Sequence, residues 1–230
     1  MPNWNISSHL SFMSAIGISH TVLGFTGPSA NIYFEDRPRT IALARLINEQ
    51  LAAYKRTYPE SFSFFASTPL PWVNEAVKEV KYAMEVLGAV GVALTSNHEG
   101  KYLGWSGFED FWRALDDMAS GDNDAGDESE GGNGKMVVYV HPTSPWMKVN
   151  ETWVAGNPYG SLSTSRMEFY VETARTFMDL TISQTIHNFT NTHFVLPHST
   201  LPYSPPFLTV PCMLWLTLPS LAQLAVHSRS

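Results

Sequence analysis

The sequence is poor in cysteine, in clustered positive charge and in long apolar runs, and each shortage excludes a class of protein. The single cysteine, Cys212, cannot form an internal disulfide, so a disulfide-stapled secreted scaffold is excluded and a reducing, cytoplasmic compartment is expected. The 14 Lys and Arg residues are outnumbered by 21 Asp and Glu, for a net charge of −7, and no basic patch gathers them. Nucleic acid is therefore an unfavourable partner, because phosphate contacts need grouped cations. The most apolar stretch near the C-terminus, 207–218, is broken by Pro211 and is far shorter than the roughly 20 residues of a membrane span. No membrane insertion is expected, and the N-terminus has no basic region leading into an apolar one. A Gly-rich phosphate loop, a paired-cysteine motif and a Gly-x-Ser-x-Gly elbow are also missing, which weakens nucleotide and serine-hydrolase readings.

What is present is an ordinary globular composition: 230 residues, 44% hydrophobic and 15% charged, enough for a sizeable core. A hydroxyl cap ahead of Leu10, Phe12, Met13 and Ile16 predicts a helix over Ser7–Gly17, and Ile18–Phe25 reads as a buried strand. A long helix is expected from about Pro38 to Tyr58, with Ile41, Ala44, Leu46, Ile47, Leu51 and Ala52 inward and Arg45, Asn48, Glu49 and Lys55 outward. The alternation continues with strands at Ser61–Ala66, Val90–Thr95, Met136–Val140 and His193–Leu196, and with helices at Val73–Leu87, Phe108–Met118 and Arg166–Leu180. Strands that are apolar throughout are buried on both faces, so this rhythm implies a parallel sheet covered by helices, either doubly wound or part of a (β/α) barrel. Residues 119–135, nearly all Gly, Asp, Glu, Asn and Ser, read as a disordered surface insertion whose acids lack the spacing of a calcium loop. From Pro197 onward the rhythm dissolves into a proline-rich tail.

In parallel β/α structures functional groups gather where strands end. Met136–Val140 runs into His141, and His193–Leu196 runs into Pro197 and His198, so two strands each deliver a histidine to one end of the sheet. Neutral imidazole is a common ligand of zinc and similar ions, which makes His141 and His198 candidate ligands of a shared metal. Each taken alone reads more readily as a hydrogen-bonded strand-end residue than as a ligand, and their position on successive strands is what favours the metal. His9, His20, His98, His187, His193 and His227 fall on helix faces, strand edges, loops or the tail and read as structural or surface residues.

Several ordered motifs carry a resemblance. Ala44-Arg45-Leu46-Ile47-Asn48-Glu49, Ser67-Thr68-Pro69-Leu70-Pro71, the run from Gly88 to Asn97, Gly100-Lys101-Tyr102-Leu103-Gly104, Val140-His141-Pro142-Thr143 and Glu168-Phe169 occur in that order. Together they resemble the amidohydrolase-related decarboxylases, the group of aminocarboxymuconate-semialdehyde, γ-resorcylate and 6-methylsalicylate decarboxylases, over roughly Trp4–Tyr203. The resemblance implies a (β/α)8 barrel, a divalent metal, most often zinc, at the C-terminal mouth, and non-oxidative loss of carbon dioxide from a small aromatic or unsaturated acid. His141 and His198 match two of the family's metal ligands, and Trp146 is a candidate aromatic wall against the substrate ring. No residue is assigned as the proton donor.

The sequence also departs from that family. The His-x-His of the first strand and the Asp of the eighth have no counterpart, and the His-x-Gly-Gly stretch appears as His198-Ser199-Thr200. The expectation is therefore an incomplete barrel lacking the first and last strands, with residues 1–203 as the barrel-type domain and 204–230 as an irregular tail. Exposed sheet edges would favour association, as in a homodimer. A truncated or impaired decarboxylase is the leading reading. A non-catalytic binding or dimerising subunit, or a metal-dependent hydrolase of the wider superfamily, are the alternatives.

Overall fold

A computed structural model of the chain describes residues 4–25, 27, 29–120, 134–158, 167–198 and 222–225. In chain order it contains α1 (Ile6–Ala15), β1 (Thr21–Gly24), α2 (Arg37–Thr57), β2 (Phe62–Phe64), β3 (Ala66–Ser67), α3 (Val73–Glu85) and β4 (Val92–Thr95). A small hairpin of β5 (Asn97–His98) and β6 (Lys101–Tyr102) follows, then α4 (Glu109–Ser120), β7 (Met136–His141) and a second hairpin of β8 (Trp146–Val149) and β9 (Thr152–Ala155). The chain continues through α5 (Glu168–Ile182), α6 (Thr185–Asn188), β10 (Thr192–Val195) and β11 (Ala222–Ala225).

The main strands are parallel and lie side by side in chain order. β1 pairs with β2, β3 with β4, β4 with β7, and β7 with β10. β2 and β3 are one strand interrupted at Phe65, which changes partners there: Phe65 N donates to Leu23 O at 2.8 Å, and Ala66 N to Gly91 O at 2.9 Å. The order never reverses.

Alternating side chains give the sheet two different faces. Val92 and Leu94 of β4, Val138 and Val140 of β7 and Phe194 of β10 pack against Ala76, Val80, Phe111, Trp112, Leu115 and Leu180 of the helices. Leu23, Phe62, Phe64 and Ala66 pack in the same way against Ala44, Ile47 and Leu51 of α2. The residues between them, Val22, Phe65, Ala93, Val137, Tyr139 and Val195, point to the opposite face and meet each other there, with Phe65 and Tyr139 stacked at 5.9 Å.

The departures from sequence expectation have local causes. The cap of α1 is Asn5, whose side chain accepts from Ser8 N at 2.8 Å, rather than a serine hydroxyl. On α2 the expected stripe is displaced, since Leu46 is 65% exposed whereas Asn48 is fully buried. Asn48 turns inward because it completes the end of β3: its amide donates to Ser67 O at 3.0 Å and to Glu79 Oε1 at 2.8 Å, and its oxygen accepts from Ser67 N at 2.8 Å. Arg45, also expected to face outward, pairs with Glu79 at 2.9 Å and lies 3.7 Å over the Tyr82 ring.

Neither hairpin was visible in the hydrophobic pattern. The second closes on Asn150 and Glu151, both at positive φ, the backbone that two-residue hairpin loops require. α4 extends through Ala119 and Ser120, the first residues of the expected insertion, and residues 121–133 lie outside the described set. The expected tail also lies outside it, except that Ala222–Ala225 run as a strand antiparallel to β1. Among the described residues no helix is long and apolar enough to cross a membrane.

Replacing Asn48 by Leu leaves the Ser67 backbone groups and Glu79 buried without this partner. A loss of about 2–4 kcal/mol in unfolding free energy is expected from urea titration, at about 1–3 kcal/mol per orphaned polar group. A loss below about 0.5 kcal/mol would contradict this account of the α2 register.

Candidate functional site

The carboxyl ends of β1, β3, β4, β7 and β10 face one rim, and the buried polar residues of the chain concentrate there: Ser67, Thr68, Thr95, Ser96, Asn97, His98, His141 and Thr143. His141 is the last residue of β7 and is 2% exposed. His198 follows β10 in the left-handed backbone region, at φ 58°. The structure brings these two sequence-predicted residues together, with ring centroids 6.4 Å apart and planes perpendicular. Phe169 and Tyr170 at the start of α5 line them, with Phe169 5.5 Å from His141 and Tyr170 5.5 Å from His198.

Burial, helped by the neighbouring His198, holds the His141 imidazole down to about pKa 4, against the opposing pull of the Pro142 carbonyl. Burial lowers His198 as well. Both rings are thus neutral at pH 7, the form that ligates metals. His141 Nδ1 lies 2.6 Å from Pro142 O and 3.3 Å from Gly27 N. The two contacts demand opposite tautomers, since a carbonyl needs a hydrogen on Nδ1 and an amide N–H needs a lone pair there. The shorter one decides: Nδ1 carries the hydrogen, and the acceptor nitrogen is Nε2.

Such a pair suits a divalent cation as part of its ligand set. It does not complete one, because among the described residues no group of three or more His, Cys, Asp or Glu comes together, and catalytic zinc takes three protein ligands.

Behind His141 lies a polar junction that the sequence did not reveal. Ser96 N donates to His141 O at 3.0 Å, and Ser96 Oγ accepts from Thr143 N at 3.0 Å. Asn97 Nδ2 donates to Ser144 O at 2.9 Å. Both side chains also donate to Glu172 Oε2, Ser96 Oγ at 3.2 Å and Asn97 Nδ2 at 3.1 Å. The signals available were the Ser96-Asn97 motif and the Glu168-Phe169 helix start; nothing in the periodicity marked Glu172 as buried. Thr68, directly after β3, has a buried hydroxyl with no hydrogen-bond partner among the described residues.

Trp146, the candidate aromatic wall, belongs to β8. It opens the β8–β9 hairpin, where its ring meets Phe34 edge-on at 4.8 Å and Trp153 stacks on Phe34 at 4.9 Å. Gly100 passes beneath at φ 71°, where a side chain would approach Trp146 O to 2.7 Å, so glycine is required. Among the described residues, Phe169 and Tyr170 are aromatic neighbours of the histidine pair, and neither was picked out from the sequence as a site residue. His98 is buried as well, 2.8 Å from Asn31 Oδ1, and burial pushes its pKa down to about 3.

Comparison with known proteins supports the resemblance. No family model matches the sequence. The decarboxylase yanB of Aspergillus niger is 30% identical over 208 residues, covering 88% of this chain and 52% of that protein. The 6-methylsalicylic acid decarboxylase of Penicillium expansum is 30% identical over 210 residues, covering 88% of this chain and 57% of that protein. The chain is similar in sequence to these decarboxylases. It spans about half the length of the curated relatives it matches.

Solved structures agree in fold. An amidohydrolase II superposes with a TM-score of 0.71 at 25% identity, covering 86% of this chain and 57% of that one. A dihydroxybenzoic acid decarboxylase from Polaromonas sp. JS666, solved with manganese and the inhibitor 2-nitroresorcinol, superposes with a TM-score of 0.62 at 18% identity, covering 83% of this chain and 53% of that one.

The state of His98 gives a pH prediction. Folded His98 refuses a proton until about pH 3, whereas the unfolded residue takes one below about 6.5, so the unfolded state binds more protons in between and stability falls as pH falls through that window. His98→Gln keeps a donor for Asn31 and removes this proton. Urea midpoints at pH 6, 5 and 4 should fall less steeply in the variant, by up to about 1.4 kcal/mol per pH unit. Parallel slopes would contradict a neutral, buried His98.

Proposed function

We propose that this chain forms part of a metal-dependent, non-oxidative decarboxylase of small aromatic carboxylic acids, a carbon–carbon lyase of the 6-methylsalicylate type. The observation that carries the reading is the juxtaposition of two neutral imidazoles, His141 buried at the end of β7 and His198 half-buried just after the neighbouring parallel strand β10, in a chain similar to decarboxylases. The unreversed strand order and the two unlike faces, one against helices and one turned inward on Phe65 and Tyr139, favour a segment of a (β/α) barrel over a doubly wound sheet. Residues 1–203 are read as that barrel-type domain and 204–230 as a tail that returns a strand to the β1 edge. Pairing with a second copy of the chain, as in a homodimer, is the partner reading.

His141 and His198 would hold the cation. Manganese accompanies the Polaromonas decarboxylase, and zinc suits two imidazoles equally well. When bound, such an ion supplies Lewis-acid stabilisation of charge on the substrate's carboxylate and ring oxygens. The chain's own contribution is to keep both imidazoles unprotonated by burial, to seat an aromatic ring against Phe169 and Tyr170, and to exclude water from the rim with Phe34, Trp146 and Trp153. The lone Cys212 suits a reducing cytoplasm. One observation favours a second reading: only two metal-ligating side chains meet among the described residues, as in a non-catalytic binding or dimerising subunit. Hydrolysis by a member of the wider superfamily is the alternative chemistry.

Elemental analysis of the purified chain after incubation with manganese or zinc should give close to one ion per chain, lost in a His141→Ala, His198→Ala double variant. Carbon dioxide released from 6-methylsalicylic acid by the loaded protein should fall on the order of 100-fold or more in the same variant. Metal retained by the variant would remove the ligand assignment. Metal bound without carbon dioxide release would favour the non-catalytic reading.

A further inference from the structure

Glu172 lies one turn inside α5 and is fully buried. Its carboxylate meets Ser96 Oγ and Asn97 Nδ2 on one oxygen, the Tyr102 hydroxyl at 2.8 and 3.0 Å, and the Arg175 guanidinium. Every one of these partners is a donor, so the arrangement is built for an acceptor-only carboxylate. A buried carboxylate is costly to retain and gives little net stability over an apolar side chain of similar volume. What it does supply is direction.

Ser96 has one hydroxyl hydrogen. Given to Glu172, it leaves the oxygen to accept the Thr143 N–H. Asn97 has two amide hydrogens, one directed to Glu172 and one to Ser144 O, while its oxygen accepts from Gly100 N at 3.3 Å. Thr143 and Ser144 are thus fixed by groups whose polarity the carboxylate sets. They immediately follow Pro142, whose carbonyl takes the Nδ1 hydrogen of His141, and Ser96 N secures the His141 carbonyl itself.

We propose that Glu172 is a positioning residue for His141, acting through Ser96 and Asn97 to fix the loop whose Pro142 carbonyl selects the Nδ1-protonated tautomer. The role rests on the reading of His141 as a metal ligand, because only that tautomer offers Nε2 as the donor atom. A purely structural clamp between α5 and β4 would use the same contacts but would be indifferent to the imidazole.

The test is Glu172→Gln, which keeps shape but replaces one acceptor oxygen by an NH2 group in a site where Ser96, Asn97, Tyr102 and Arg175 all donate. Ser96→Ala is the second variant, breaking one arm and leaving Glu172 with Asn97, Tyr102 and Arg175. Long-range 1H–15N spectra of the metal-free proteins at pH 7 report the His141 tautomer directly. The wild type should be Nδ1-protonated. The Nε2-protonated form should rise several-fold in Glu172→Gln and less in Ser96→Ala.

Manganese affinity, read by competition with a chelating dye, should fall about 10- to 100-fold in Glu172→Gln. A lowered unfolding midpoint with an unchanged His141 tautomer in both variants would overturn the proposal and leave a structural clamp. If the wild type binds neither manganese nor zinc, the metal reading fails, while the tautomer comparison on metal-free protein still decides the role of Glu172.

Discussion

The rim of this sheet depends on one requirement: strand-end backbone groups that are buried must be hydrogen-bonded, and here helix carboxylates organise the residues that do it. Ser96 is the centre of that arrangement. Through its backbone it holds the end of β7, and through its hydroxyl it joins the following loop to Glu172 on α5. The same device occurs at the end of β3, where Asn48 serves both Ser67 backbone groups and is itself held by Glu79. Glu79 and Glu172 are each backed by an arginine that reaches the surface, Arg45 in one case and Arg175 in the other, so neither charge is isolated from solvent or from a counter-ion.

These junctions explain which parts of the molecule were legible in its sequence. The apolar strands at Val92–Thr95 and Met136–His141 and the helices between them follow from periodicity, because burial alone dictates those side chains. His141 and His198 were legible for a related reason, since a polar residue directly after a buried strand has few places to go except the rim. Asn48 was not. Its inward turn is decided by Ser67 and Glu79, 19 and 31 residues away, and no local pattern encodes such partners. Glu172 escaped in the same way, with Ser96, Asn97 and Tyr102 lying 70 to 76 residues distant.

The two hairpins were hidden because turn backbone rather than hydrophobic pattern makes them: Glu99 and Gly100 in one and Asn150 and Glu151 in the other adopt positive φ. The second hairpin opens with Trp146, whose ring packs edge-on against Phe34. The motifs that carried the family resemblance turn out to be largely these same clamps. Arg45, Asn48, Ser67, Ser96 and Asn97 hold strand ends in place, which suits a fold whose reactive groups must converge on one rim from separate strands. In the proposed reading, the pairing of His141 with His198 is the point where that scaffold meets chemistry.

The central claim is that these two imidazoles share one divalent ion, and crystals grown with manganese test it most directly through anomalous diffraction. The account predicts a peak between the two rings, within about 2.0–2.3 Å of a nitrogen of each. Full manganese occupancy at any other place, with His141 and His198 keeping only protein contacts, would contradict it.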